Sequence, residues 1–469
     1  MSITAPVFLS ILRIQNASQS TTTRDYEYEA VLGDVRAKIA EHHAKELAAV
    51  LQSEDAAVTL RGLITRYAAE RMAGREYDSD ALVERIFEDM AGLGVLTQYL
   101  RDPDVEEING NSYKLIEIIT RDQVRYLYKS DAFSSPVAAV DIVKRMVRMG
   151  GKLLDEQTPK VDSYVGDGVR ISASIPPLVP EDKGVVFSIR KQRKGGVGRE
   201  QIIQSGAATP EILDFLTMCL CHKVSVGLAG GVGSGKTTMQ TLLLNEYIRK
   251  NEDHNNRINV IEDSREIELL EYDIDHDRPA RVMYNMTSEA WSMMRLVADS
   301  LRYDPALIVP AEVRDGAALA AASAGQTGHT ILTSFHASSA RDGYKRLRLL
   351  CNNANSGLPN ETLLEMCVDA WPIMVYLEQQ KDNVRRTMEV FEATGIAGGR
   401  VQGNLLWKFD IEKTERDEDG KVVNVRGTYR RVGCISPRLY SFLRDRGVPE
   451  PELLRLFPDA RPEEEVMPS

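Results

Sequence analysis

Gly230, Gly231, Val232, Gly233, Ser234, Gly235, Lys236 and Thr237 stand in unbroken order, followed by Thr238. Backbone N–H groups can wrap a polyphosphate at close range only in conformations that a Cβ forbids, and glycines at these spacings permit them. Lys236 brings a point charge for the β- and γ-phosphates and Thr237 a hydroxyl for Mg²⁺, while the start of a following helix adds partial positive charge. The octet is a full Walker A pattern and points to ATP with Mg²⁺ as ligands. Cleaving ATP requires more: one carboxylate near the attacking water and a second near the metal. Glu262 and Asp263 follow the apolar run Ile258 to Ile261, and Glu312 follows the run Leu307 to Val309. Each acid is therefore expected at a strand's carboxyl end, where ligands bind in open α/β sheets. His329 and His336 bracket a further run, Thr330 to Ser334. They read either as satisfied structural histidines or as sensors of the γ-phosphate.

The elements that must position these groups follow from hydrophobic periodicity. Val224 to Ala229 predicts a buried strand before the octet, and Met239, Leu242, Leu243, Tyr247 and Ile248 recur at helical spacing after it. From Thr209 to about Leu350, helical patterns alternate with short β runs, the signature of an α/β sheet. After Pro372, Ile373 to Leu377, Arg386 to Ala393 and Leu405 to Phe409 read as further strands, then a charged hairpin at Asp417 to Lys421 and a helix near Pro437 to Asp445. Upstream, residues 25–92 predict a small helical bundle and 93–192 an α+β domain, with a Ser- and Thr-rich mobile segment over 1–24. The stretch 193–208 is the linker, with glycines over 194–198 as its hinge; 209–350 form the P-loop core and 351–469 a C-terminal α/β extension.

Composition narrows the function. The 469 residues carry a formal net charge of −11, which argues against a protein whose main work is gripping nucleic acid. No run approaches a membrane span, and Met1 to Leu12 lack a secretory signal's basic start and cleavage site, so a cytoplasmic location is expected. Cys219, Cys221, Cys351, Cys367 and Cys434 form no C-x-x-C pair and read as reduced structural thiols.

Taken together, four stretches resemble the secretion ATPase superfamily, whose members power type II and type IV secretion, type IV pili, tight-adherence pili and conjugation. The octet with Thr238 resembles its Walker A motif, and Ile261 to Ser264 with Glu266 its Asp box. Glu312 to Arg314 resemble its Walker B motif, and Thr327 to Ala337 its His box. Gly92 to Leu96, Asp102 to Asp104, Glu107 to Gly110, Asp167 to Arg170, Ile175 to Pro177 and Ser188 to Lys191 are similar to the N-terminal domain of the tight-adherence branch. Glu392 to Ile396 and Leu405 to Phe409 are also similar to that branch.

The resemblance implies a homohexamer of two-domain subunits, with ATP between the N-terminal domain and a RecA-like core, working on integral inner-membrane platform proteins from the cytoplasmic face of that membrane. It implies Glu262 as the water-orienting acid and Glu312 as the acid near Mg²⁺. Arg170 and Arg190 would reach the phosphates, and Arg302 would cross to a neighbouring subunit. Three features depart from the family. Ala298 and Asp304 stand where flanking arginines are usual, Pro310 interrupts the Walker B strand, and seven positions separate His329 from His336, a spacing more like other branches. A conjugation-type motor is the alternative within the family. A nucleic-acid translocase and a subunit that binds ATP without cleaving it lie outside it.

Overall fold

The computed structural model describes residues 28–462, apart from 29, 51–52, 74–76, 121–123, 128–131, 167, 192–196, 252–256, 274–276 and 289. The mobile segment expected over 1–24 and most of the expected glycine hinge lie outside the described residues. The chain divides into two compact units, Met1–Lys194 and Gly195–Ser469.

In the first unit, six strands form an antiparallel sheet: β1 (Val105–Ser112), β2 (Leu115–Thr120), β3 (Val124–Leu127), β4 (Lys160–Val165), β5 (Val169–Ser174) and β6 (Val186–Lys191), in the order β3-β2-β1-β6-β5-β4. Burial alternates residue by residue along β4, β5 and β6, as it must when one face of a pleated sheet is covered and the other is open. The covering helices begin at side-chain caps. Ser135 accepts from the Ala138 amide ahead of Pro136–Met149, and Asp78 from the Ala81 amide ahead of Ser79–Ala91. Ile64 and Ile86 from the helical segment and Val143, Ile171 and Ile189 from the segment after it belong to one continuous core. Segments 25–92 and 93–192, read apart in the sequence, thus share their hydrophobic interior.

In the second unit, a nine-stranded sheet holds β7 (Val226–Gly230), β8 (Ile258–Glu262), β11 (Val282–Met286), β12 (Leu307–Pro310), β13 (Thr330–Phe335), β14 (Ile373–Gln379), β15 (Arg385–Ala397), β16 (Arg400–Arg416) and β17 (Val422–Arg431), while β9 (Tyr272–Asp273) and β10 (Arg278–Pro279) make a small separate ribbon. The order is β11-β8-β12-β13-β7-β14-β15-β16-β17. The strands from β11 to β14 in that order pair parallel, and those from β14 to β17 antiparallel. The C-terminal strands thus continue the sheet that begins in 209–350.

The inner parallel strands β7, β8, β12 and β13 are buried on both faces, and successive side chains enter two different cores. Val226, Leu228, Val260, Val309 and Leu332 pack with Leu213, Phe215 and Leu243 on one side. Ala229, Ile261, Ile308 and Ile331 pack with Ala321, Leu347 and Leu363 on the other. Parallel pairing also sets every carboxyl end of β7, β8, β12 and β13 along one edge, which is what assembles the site.

The antiparallel end is pinned by three rings. Phe215, Trp407 and Phe457 have centroids 5.1–5.3 Å apart, joining the helix Pro210–Cys221, β16 and the chain just past the helix Glu450–Leu456. Phe457→Ala should cost about 3–5 kcal/mol of stability. Urea unfolding followed by tryptophan fluorescence measures this, and an unshifted midpoint would show that the C-terminal segment does not belong to the core.

Candidate functional site

The octet leaves β7 through a turn that side chains would block. A Cβ at Gly230 would lie 2.4 Å from the Leu377 carbonyl and 2.5 Å from Ser234 Oγ. Gly233 and Gly235 have φ of +72° and +90°, a region costly for residues with a Cβ. Val232 is 80 % exposed at the tip, and Ser234 Oγ donates to the Gly231 carbonyl at 2.9 Å. The helix Lys236–Lys250 starts directly from the loop, so its first N–H groups face the same region. Lys236 is buried, and its Nζ donates to the Gly230 and Gly231 carbonyls at 3.0 and 2.8 Å. A buried ammonium inside a glycine-rich turn of backbone fits a polyphosphate, which offers better acceptors than two neutral carbonyls.

The acids at the strand ends occupy three different environments. Glu262, the last residue of β8, is 1 % exposed, and its Oε1 accepts from the amides of Glu266 and Ile267 at 3.0 and 2.9 Å. Burial pushes its carboxyl up to about 7, against the pull of those amides. Glu266, half-buried on the loop that follows, reaches Thr237: the Thr237 hydroxyl donates to Glu266 Oε2 at 3.5 Å, and Ser264 Oγ to Oε1 at 3.5 Å. The loop is fixed further by the Leu270 amide, which donates to Asn245 on the helix after the octet at 3.0 Å. Asp263 accepts from Thr287 Oγ1 at 2.7 Å.

Glu312 is gripped by Arg314 through two bonds of 3.1 and 2.8 Å and lies 3.3 Å from His336 Nε2. Burial raises its carboxyl, but Arg314, His336 and Lys236 together more than offset that and hold it below its ordinary value. His336 Nδ1 lies 3.1 Å from the Gly230 carbonyl, so this imidazole bridges the octet and Glu312. Pro310, which has no N–H to give to the ladder, stands at the end of β12. Pairing of β12 with β13 stops at Ile308, and side chains take over: Thr333 Oγ1 donates to the Pro310 carbonyl at 2.6 Å and Ser334 Oγ to the Ala311 carbonyl at 2.7 Å. Glu312 thereby stays at the carboxyl edge.

Other residues singled out in the sequence lie elsewhere. His329 precedes β13, so the whole strand separates it from His336, a span of roughly 20 Å at strand rise. Its Nδ1 pairs with Thr327 Oγ1 at 3.0 Å. Arg302 sits in a single turn, Leu301–Tyr303, on the amino-end side of β12, with its side chain 83 % exposed and 3.5 Å from Asp299. Thr238 is half-buried in the first turn of the helix. Arg170 and Arg190 belong to the first unit, directly opposite one another on β5 and β6 and on the face away from the core. Glu107 on β1 stands opposite Arg190, 3.9 Å from its Nε. The family resemblance assigned the water-orienting role to Glu262 and gave none to Glu266. The turn that folds the 266 and 267 amides back onto Glu262 leaves no sequence signal.

Comparison with known proteins adds a family. The family model described as "Type II/IV secretion system protein" matches residues 131–370, just over half of the chain. An uncharacterized protein of Methanocaldococcus jannaschii is 26% identical over 358 residues, covering 75% of this chain and 62% of its own length, so the chain spans less than two thirds of that relative. The conjugal transfer protein TrbB of Rhizobium radiobacter is 26% identical over 270 residues, 57% of this chain and 78% of its own. Protein VirB11 of Agrobacterium fabrum is 25% identical over 346 residues, 66% of this chain and 94% of its own.

The burial of Glu262 sets a pH dependence. With the folded carboxyl raised from 4.5 to about 7, the folded state holds an extra proton between those values. That contribution is fully present below the lower value and is lost as pH rises through the upper one. Glu262→Gln keeps an acceptor for the two amides and removes the titration. Its thermal midpoint should fall less than that of the wild type from about pH 5 to about pH 8. Equal slopes would show that Glu262 does not titrate as its burial requires.

Proposed function

This chain belongs to the type II/IV secretion system protein family, and on that premise we propose that it is an ATP-hydrolysing motor. In this reading it assembles as a homohexamer at the inner face of the cytoplasmic membrane and drives a type IV or tight-adherence-like pilus, or a type II or type IV secretion machine, through integral platform proteins. The observation that carries the reading is the convergence of Lys236, Thr237, Glu266, Glu312 and His336 on one edge of a parallel sheet. ATP supplies the phosphoanhydride bond whose cleavage releases energy, and Mg²⁺ neutralises charge on the phosphates.

Lys236 exchanges its two carbonyl partners for phosphate oxygens, and the amides of residues 231–237 face them. The Thr237 hydroxyl and Glu312 stand on the metal side. We assign the water-orienting role to Glu266, because it is the carboxylate in reach of Thr237, whereas Glu262 is sealed in and committed to backbone amides. Glu262 then sets the position of the loop carrying Glu266. His336, touching both Glu312 and the Gly230 carbonyl, is placed to report on whether the loop is filled. Arg170 and Arg190, two cations on an open sheet face of the first unit, are kept as the groups proposed to meet charge developing on the transferred phosphoryl group. Arg302, exposed and at the amino-end side of the sheet, is offered to the site of an adjacent subunit. His329 lies beyond reach of its own octet and is likewise left to a contact between subunits.

Among the described residues no helix is long and apolar enough to cross a membrane, which agrees with a peripheral motor. The names of TrbB and of several other relatives favour a second reading, a conjugation-type motor on a type IV secretion channel. Neither reading requires direct contact with nucleic acid.

Phosphate release by the purified chain tests the roles. Lys236→Ala should abolish it by abolishing binding. Glu266→Gln should bind nucleotide yet slow release by about 100-fold or more, and Glu262→Gln should retain more activity than Glu266→Gln. If Glu262→Gln alone is inactive while Glu266→Gln turns over, the roles are reversed. Light scattering with ATP should show particles of six subunits; monomers alone, in the presence of the platform proteins, would exclude the ring.

A further inference from the structure

One side of the octet is lined by a hairpin that the octet's own sequence does not reveal. The turn between β14 and β15 brings Leu377, Gln379 and Arg385 against it. Leu377 fills the space beside Gly230, Gln379 Oε1 stands 3.1 Å from where a Cβ on Gly233 would be, and the Arg385 stem lies 3.3–3.8 Å from where one on Gly235 would be. Arg385 Nε then donates to the Gly233 carbonyl at 2.9 Å.

The hairpin is held firmly enough to transmit position. Asn383 takes a φ of +63°, and the Gln380 amide donates to the Val384 carbonyl at 2.9 Å, closing the turn. Asp382 and Arg386 form a two-bond pair of 2.8 Å each, with side chains 2 % and 8 % exposed. Asp382 also accepts from the Val425 amide at 2.9 Å, and Arg386 donates to the Val425 carbonyl at 3.0 Å. The tip is thus pinned to β17.

We infer that Arg385 is a positioning residue for phosphate binding, acting through the peptide between Gly233 and Ser234. In a trans peptide, C=O and N–H point in opposite directions. Drawing the Gly233 carbonyl out onto Arg385 therefore turns the Ser234 N–H to the far side of the loop, where an anion is received. A loop of this composition has many accessible conformations, and a fixed cation on one carbonyl removes those with the peptide flipped. The guanidinium also places positive charge within a few ångströms of the phosphate-receiving backbone.

The inference rests on the reading that residues 230–237 bind a nucleotide, and the test separates the two. Full-length chain is titrated with magnesium and a fluorescent ADP derivative, N-methylanthraniloyl-ADP. Arg385→Ala should raise the Kd by on the order of tenfold, with its thermal midpoint in the absence of nucleotide close to that of the wild type. Arg385→Lys, which keeps the charge and a donor, should recover part of the loss. Turnover at saturating ATP should change far less than KM, because positioning of the loop is satisfied once the loop is filled. If Arg385→Ala does not fold, Arg385→Gln carries the same expectation. Wild-type binding matched by the Ala or Gln variant overturns the role of Arg385 and leaves the nucleotide reading intact. No binding by the wild type overturns both.

Discussion

The carbonyl of Leu377 lies where a side chain at residue 230 would begin, and much of the site follows from that one steric fact. Because β14 pairs with β7 up to Leu377 and Gly230, the chain must leave the sheet as bare backbone. Gly233 and Gly235 then turn it through left-handed conformations into the helix Lys236–Lys250. The result is a short loop whose polar groups are mostly backbone amides and carbonyls and whose buried cation, Lys236, is supplied by the helix it starts. Parallel pairing does the rest, since it sets the ends of β8, β12 and β13 beside the same loop without any long-range recognition between the acids and the glycines.

Electrostatics separates the carboxylates into different environments. Taking a carboxylate out of water is costly unless it is paired. Glu312 meets that cost with Arg314, His336 and Lys236, which hold its carboxyl below its ordinary value. Burial lifts the Glu262 carboxyl to about 7 against two backbone amides and the charge of Arg265, and its bonds to those amides brace the loop of residues 263–267. Glu266 is less buried, and its contacts with Thr237 and Ser264 are long, which suits a group that must exchange partners when ligand arrives. The family gives these contacts a context, and the roles proposed for them rest on this geometry.

How much could be read in advance depends on how local the cause is. The octet, the strand before it and the helix after it were legible because glycine spacing and apolar periodicity act over a few residues. The helix Pro437–Asp445 was legible for the same reason, with Ser436 capping it. β11 and β17 were not. Asn285 interrupts the first, bonding Asn259 at 2.6 Å, and the second is charged and largely exposed, so neither carries a buried strand's pattern. The placement of the two histidines was legible too: the apolar run between them reads as a strand, and they stand at opposite ends of β13. Arg385 lies 152 positions from Gly233, and only the sheet order brings them together.

A magnesium-bound triphosphate is the ligand proposed for the loop after β7. Titration calorimetry of the whole chain with magnesium and a non-hydrolysable ATP analogue addresses it without relying on turnover or on a partner. Saturable heat at one analogue per chain, lost in Lys236→Ala, is the predicted result. No heat from the folded wild-type chain, or equal heat from the Lys236→Ala variant, would contradict it.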